Sequence, residues 1–142
     1  MKKYTPENIQ NLESNQVMVF GSNERGTHGL GAAKLALKKF GAKMGIGRGL
    51  QGQSYALPTK DFDIETLPLF DIERNVKEYV DFAAKNPQYE FLTTKIGMGL
   101  ANYTLDQIGP IFGKFTKGTQ SKPRALARGG ICAKKYLSFF IK

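Results

Sequence analysis

The stretch that decides the fold is Gln-Val-Met-Val-Phe-Gly-Ser-Asn at residues 16–23, followed by a glycine-rich segment at 24–31 and by Ala-Ala-Lys-Leu-Ala-Leu-Lys-Lys-Phe at 32–40. A short apolar run that stops at Gly-Ser-Asn is typical of a buried strand ending in a turn. The third stretch contains strong helix formers, and Gly41 favours a helix end there. We therefore predict a strand, a glycine loop and a helix. Free N–H groups at such a helix start attract phosphate, and glycines let it approach closely.

Strands and helices continue to alternate along the chain. The further predicted elements are a short strand at 54–58 that ends at Pro58, a helix at 69–85, a strand at 89–96 that runs into a second glycine loop, and a helix at 104–112 that Pro110 limits. The five glycines in and beside residues 43–53 predict a long, flexible surface loop. This alternation predicts an α/β fold with a mixed or parallel sheet.

Composition restricts the class of protein. The chain has 142 residues, of which 41% are hydrophobic and 23% charged, so we predict one globular domain over residues 1–142. Because Cys132 is the single cysteine and His28 the single histidine, a disulfide framework and a multi-Cys or multi-His metal site are excluded, and we expect no metal and no cofactor. No run approaches the roughly 18 apolar residues of a membrane span. We expect a cytoplasmic protein (in the host cytoplasm if a phage encodes it) with no membrane partner.

The formal net charge of +9 is concentrated at one end of the chain. Residues 117–142 contain seven basic and no acidic residues. We interpret this segment first as a solubilising tail. The alternative is a surface that binds nucleic acid, since clustered positive charge attracts polyanions. The same positive field favours the approach of a smaller phosphate-bearing ligand.

Two glycine loops, at 21–31 and 97–99, each follow a predicted strand. In open α/β sheets a ligand lies beyond the carboxyl ends of the strands, so we expect both loops at one cleft. Two such loops fit a ligand with two phosphates, or with a phosphate and a ribose. The alternative is that each loop is only a turn.

Three blocks of sequence resemble a known family. Val-Met-Val-Phe-Gly-Ser-Asn at 17–23 with His-Gly-Leu-Gly-Ala-Ala at 28–33 resembles the macrodomain signature. Gly-Gln-Ser-Tyr-Ala-Leu-Pro-Thr-Lys-Asp at 52–61 is similar to a block in small phage and bacterial macrodomain-like proteins, and Ile-Gly-Met-Gly-Leu-Ala-Asn-Tyr at 96–103 looks like their second phosphate loop. The resemblance covers residues 16–113, and three blocks in order are more specific than a lone glycine motif.

The resemblance implies a three-layer α/β/α sandwich with a mixed sheet that binds ADP-ribose or a related nucleotide. Some members of the family only bind it, whereas others hydrolyse ADP-ribose 1″-phosphate or remove ADP-ribose from macromolecules. The implied ligand-binding residues are Gly21, Ser22, Asn23, Gly29, Leu30, Gly31 and Ala32 in the first loop and Gly97, Met98, Gly99, Leu100, Ala101, Asn102 and Tyr103 in the second. Among these, Asn23 would contact the distal ribose. The family's early Gly-Asp-Ile, whose Asp contacts adenine, has no counterpart before residue 17.

Asn23 and His28 are the candidate catalytic residues. A histidine side chain suits proton transfer, while Asn23 would orient the ribose or a water. The alternatives are a histidine that braces the loop and an asparagine that forms a turn. Glu24 is a weaker candidate for activating a water. Hydrolysis and binding without turnover both stay open, as does the oligomeric state.

Overall fold

A computed structural model describes residues 9–98 and 101–116. The elements in chain order are β1 (Gln16–Asn23), α1 (Gly31–Lys39), β2 (Gly49–Gln51), β3 (Ser54–Lys60), α2 (Leu69–Lys85), β4 (Glu90–Thr93) and α3 (Leu105–Thr116). The predicted α/β fold with a mixed sheet is confirmed. The basic segment 117–142 lies outside the described residues. No helix within the described ranges has the length and apolar character needed to cross a bilayer.

The four strands form one sheet in the order β2-β3-β1-β4. Strand β1 runs parallel to both of its neighbours, and β2 is antiparallel to β3. The two pairings of β1 differ in extent: β3 follows it as far as Asn23, which pairs with Lys60, whereas β4 follows it only as far as Val19, which pairs with Thr93. The last four residues of β1 therefore have a strand neighbour on one side only.

Alternate residues of β1 pack into two separate cores, because successive side chains of a strand point to opposite faces. Val17 and Val19 belong to a buried cluster with residues of α2 and α3. Met18 and Phe20 belong to a second cluster that contains Ala36 of α1 and other α1 residues. Helices thus cover both faces of the sheet, and the α1 N-terminus comes close to the carboxyl end of β1.

Two prolines do not end the elements that they were expected to end. Pro58 lies inside β3, which continues to Lys60. Strand β2 pairs with β3 only as far as Ala56, so at Pro58 the missing N–H removes no bond on the β2 side. Pro110 lies inside α3, and its side chain is exposed while Phe112 is fully buried. Burial of the apolar face of α3 outweighs the local penalty of the proline.

Two buried tyrosines tie α2 to the sheet. The Tyr79 hydroxyl lies 3.1 Å from Thr93 Oγ1, and the Tyr79 ring centroid lies 5.1 Å from that of Tyr55. Burial, assisted by the nearby Glu78 carboxylate, raises the pKa of Tyr55 to about 12. Burial also raises the pKa of Tyr79 above its ordinary value. Since burial disfavours the charged phenolate, the fold requires both phenols to be neutral.

The first prediction concerns stability in alkali. A group whose folded-state pKa is raised stabilises the fold fully below its unfolded pKa, here 10.0, and loses that contribution as pH rises through about 12. We expect the free energy of unfolding, measured by urea denaturation, to fall over that range. Tyr55→Phe should reduce the fall, whereas Tyr89→Phe, at a partly exposed tyrosine, should not. If the free energy of unfolding depends on pH equally in the two variants, the contribution of Tyr55 is contradicted.

Candidate functional site

A cavity of about 400 Å³ lies at the carboxyl end of the parallel strands, where β4 leaves β1. Its walls come from the segments 21–33 and 59–64, together with Thr94, Lys95, Gly97 and Ala101. Nine predicted ligand-binding residues line it: Gly21, Ser22, Asn23, Gly29, Leu30, Gly31, Ala32, Gly97 and Ala101. The two glycine loops that lie 66 or more residues apart in the chain thus share one cavity.

The two loops approach each other through their glycines. A Cβ placed on Gly21 would lie 3.8 Å from the backbone nitrogen of Gly97 and 3.6 Å from Thr59 Oγ1. Thr94 closes the end of the β1–β4 pairing, because both its N–H and its hydroxyl donate to the Val19 carbonyl. The strands therefore separate at a defined point, and the space beyond it stays open.

Helix α1 directs its N-terminus at the cavity. Its first residues, Gly31, Ala32 and Ala33, line the wall, and Leu30 caps the helix in an extended conformation without a side-chain hydrogen bond. The first N–H groups of a helix have no partner within the helix, and they carry partial positive charge. No acidic side chain stands in the first turn of α1 to neutralise that charge. An anion bound in the cavity would compensate this partial positive charge at the α1 N-terminus.

The charged side chains at the cavity are all positive. Arg25, Lys60 and Lys95 line it, and no aspartate or glutamate does so among the described residues. Sequence motifs gave no reason to single out Arg25 or Lys95, because the three cations come from different segments that only the fold brings together. Their combined field attracts an anionic ligand.

Asn23 lines the cavity and also holds the turn that follows β1. Its Nδ2 donates to the Thr27 carbonyl at 2.8 Å, and its Oδ1 accepts from the Thr27 N–H at 3.0 Å. A side-chain amide can donate twice and accept twice. Asn23 therefore braces the turn and keeps one donor and one acceptor position for a ligand. The turn-forming role and the ligand-binding role predicted for this residue are thus compatible.

The structure buries His28 and does not place it among the residues that line the cavity, so its catalytic role stays a prediction without geometric support. The ring is fully buried, packs edge-on against Phe20 with centroids 5.3 Å apart, and lies with Nε2 3.0 Å from the Ile46 carbonyl. No described group lies within hydrogen-bond distance of Nδ1. Because the buried ring is bonded to the Ile46 carbonyl and is not part of the cavity lining, the geometry favours the alternative of a histidine that braces the loop.

Glu24 is likewise engaged away from the cavity. Its Oε1 lies 2.6 Å from Arg48 Nη2, and Arg48 Nη1 lies 2.9 Å from Asn75 Oδ1. Asn75 in turn donates to the Pro58 carbonyl. Arg48 thus links the segment after β1 to α2 and β3, and Glu24 serves this link rather than a reacting water.

The loop predicted to be flexible at 43–53 contains β2 and is held to the segment after β1. The Ile46 carbonyl accepts from Gln51 Nε2 at 2.8 Å and lies 3.0 Å from His28 Nε2, and the Ser22 hydroxyl donates to the Gly47 carbonyl. Gly47 packs so closely that a Cβ there would overlap the Asn23 carbonyl oxygen. Gly47 and Gly52 thus allow close backbone packing, whereas Gly45 and Gly49 have left-handed φ values of 89° and 90°.

Part of the second loop differs from the expectation. Met98, Asn102 and Tyr103 do not line the cavity. The Tyr103 hydroxyl donates instead to the Leu67 carbonyl at 2.6 Å, and Asn102 is exposed with a left-handed φ of 65°. Gly99 and Leu100, also predicted to bind, lie outside the described residues. Gly97 and Ala101 are the members of this loop that the structure brings to the cavity.

Comparison of the chain with protein-family models, curated proteins and solved structures found no match.

The second prediction tests the packing beneath Asn23. Gly47→Ala should lower the free energy of unfolding by about 1–3 kcal/mol, because the new methyl group forces two backbone segments apart. Urea denaturation measures the change. Gly29→Ala is the matched control, since a Cβ at Gly29 meets nothing within 4 Å. Equal stability of the two variants would contradict the close approach of Gly47 to Asn23.

Proposed function

We propose that this protein binds ADP-ribose or a related nucleotide in the cavity between its two glycine loops. The observation that carries the proposal is the convergence of the α1 N-terminus with Arg25, Lys60 and Lys95 on one cavity whose described lining contains no carboxylate. A diphosphate supplies the negative charge that such a surface attracts. Helices on both faces of the sheet support the further proposal of a three-layer macrodomain sandwich.

The ligand would be divided between two parts of the cavity. Its diphosphate lies at Gly31 and Ala32, where the α1 N–H groups are available, and near Gly97 on the opposite loop. Its distal ribose lies at Asn23, whose amide retains one donor and one acceptor position. Glycine at 21 lets the first loop lie close to the backbone of Gly97, so that both loops border the same cavity.

Binding without turnover fits the cavity better than hydrolysis. A general acid or base must lie within hydrogen-bond reach of the reacting group. The described lining offers no carboxylate, histidine or thiol, and His28 is buried elsewhere. We therefore propose a protein that captures an ADP-ribose-derived nucleotide in the cytoplasm. Hydrolysis stays a prediction that now rests on Asn23 alone. Nucleic-acid binding also stays a prediction, and it rests on the basic residues of 117–142.

The third prediction concerns affinity. Lys60→Gln and Lys95→Gln should each weaken ADP-ribose binding about 10- to 150-fold, since a hydrogen bond to a charged group contributes roughly 1.5–3 kcal/mol and 1.4 kcal/mol is a factor of ten. Isothermal calorimetry measures both variants. Lys38→Gln is the matched control, because Lys38 is exposed in the last turn of α1 and does not line the cavity. Losses no greater than that of the control would contradict the proposed site.

The fourth prediction separates binding from hydrolysis. We expect ADP-ribose 1″-phosphate to be recovered intact after prolonged incubation with the protein, as followed by anion-exchange chromatography. The His28→Ala variant is the control, because a buried bracing histidine affects stability and not chemistry. Release of phosphate that the wild type catalyses and His28→Ala abolishes, in a variant that stays folded, would restore the hydrolase interpretation.

A further inference from the structure

A planar pair of side chains stands beside the cavity, next to the place proposed for the ribose. The guanidinium carbon of Arg25 lies 5.1 Å from the centroid of the Phe62 ring. Arg25 lines the cavity two residues after Asn23, while 62% of Phe62 is exposed. Arg25 thus brings a planar guanidinium to the cavity, and the exposed Phe62, which is not among the lining residues, packs against it in a cation–π contact.

Two apolar side chains share the cavity lining with Arg25. They are Leu30, which is 64% exposed, and Ile64. Ile64 has a φ of 67°, a left-handed conformation that β-branched residues rarely adopt. Such outliers persist where the surrounding structure imposes them, and they cluster at ligand sites. A strained isoleucine and an exposed leucine beside a planar cation suit a ligand group that is flat and weakly hydrated.

We propose that the ribose at Asn23 carries a heteroaromatic base, which stacks on the Arg25–Phe62 pair. The preferred ligand is then a nucleotide with a base at this end, rather than ADP-ribose with a free hydroxyl group there. This inference rests on the proposed function. A guanidinium stacks well on aromatic faces, and every nucleobase offers such a face.

The charge of Arg25 alone would also fit a terminal phosphate, but Phe62 distinguishes the two ligand groups. A phosphate gains from Arg25 and from Lys60, whose backbone pairs with that of Asn23, and gains nothing from an exposed phenylalanine. A base gains from both members of the pair. The observations therefore favour a base as the ligand group at Arg25. The experiment below also tests the alternative of a terminal phosphate.

The experiment compares two probes that differ only at this end. Diadenosine diphosphate carries a second adenine where ADP-ribose has its free hydroxyl group. By isothermal calorimetry we expect diadenosine diphosphate to bind about 5- to 150-fold more tightly, the range that base stacking on an aromatic side chain provides. Phe62→Leu should reduce the preference for diadenosine diphosphate several-fold and leave the affinity for ADP-ribose unchanged. Phe70→Leu, at another exposed phenylalanine, should preserve the ratio of the two dissociation constants, because it is the Phe62 ring and not the Phe70 ring that packs against Arg25.

A second variant separates planarity from charge. Arg25→Lys keeps the positive charge and removes the flat guanidinium, so it should lower the ratio. Three results would overturn the inference and leave the proposed function standing. The first is equal affinity of the wild type for the two probes, and the second is an unchanged ratio in Phe62→Leu. The third is tighter binding of ADP-ribose 1″-phosphate than of diadenosine diphosphate. Absence of binding by all three nucleotides would overturn the proposed function itself.

Discussion

The structure depends on the unequal pairing of its central strand. Strand β1 is hydrogen-bonded on both sides as far as Val19 and on one side only from there to Asn23. Because β4 departs at Thr93, the carboxyl end of β1 borders a space instead of a neighbouring strand. The α1 N-terminus and the loop after β4 open onto the same space. The cavity therefore follows from where one pair of strands stops.

Much of the sequence around the cavity serves to hold its walls in place. Asn23 closes a turn through Thr27, and His28 supports the Ile46 carbonyl from the core. Gly47 lets the loop before β2 pack directly against the backbone of Asn23. Arg48 joins Glu24 to α2. Polar residues that resemble catalytic groups in the sequence are thus used largely as braces, and this leaves a surface suited to holding an anion still.

Residues within one element could be predicted well, and relations between elements less so. The helix at 69–85 was placed correctly because its apolar residues recur at helical spacing, which is a local property. Pro58 and Pro110 were misplaced as ends, since their tolerance depends on the length of β2 and on the burial of Phe112. Strand β2 was missed, because a three-residue edge strand among glycines has no periodic pattern.

The sequence by itself determined the strand–glycine loop–helix unit at 16–40, the α/β class and the glycine loops that reach the cavity, because hydrophobic period and glycine spacing act over short distances. Only the tertiary structure decided which polar side chains face the cavity. It brought Arg25, Lys60 and Lys95 together from separate segments and turned His28 into the core. The direction of a side chain depends on packing against residues distant in the chain, and no local pattern records that packing.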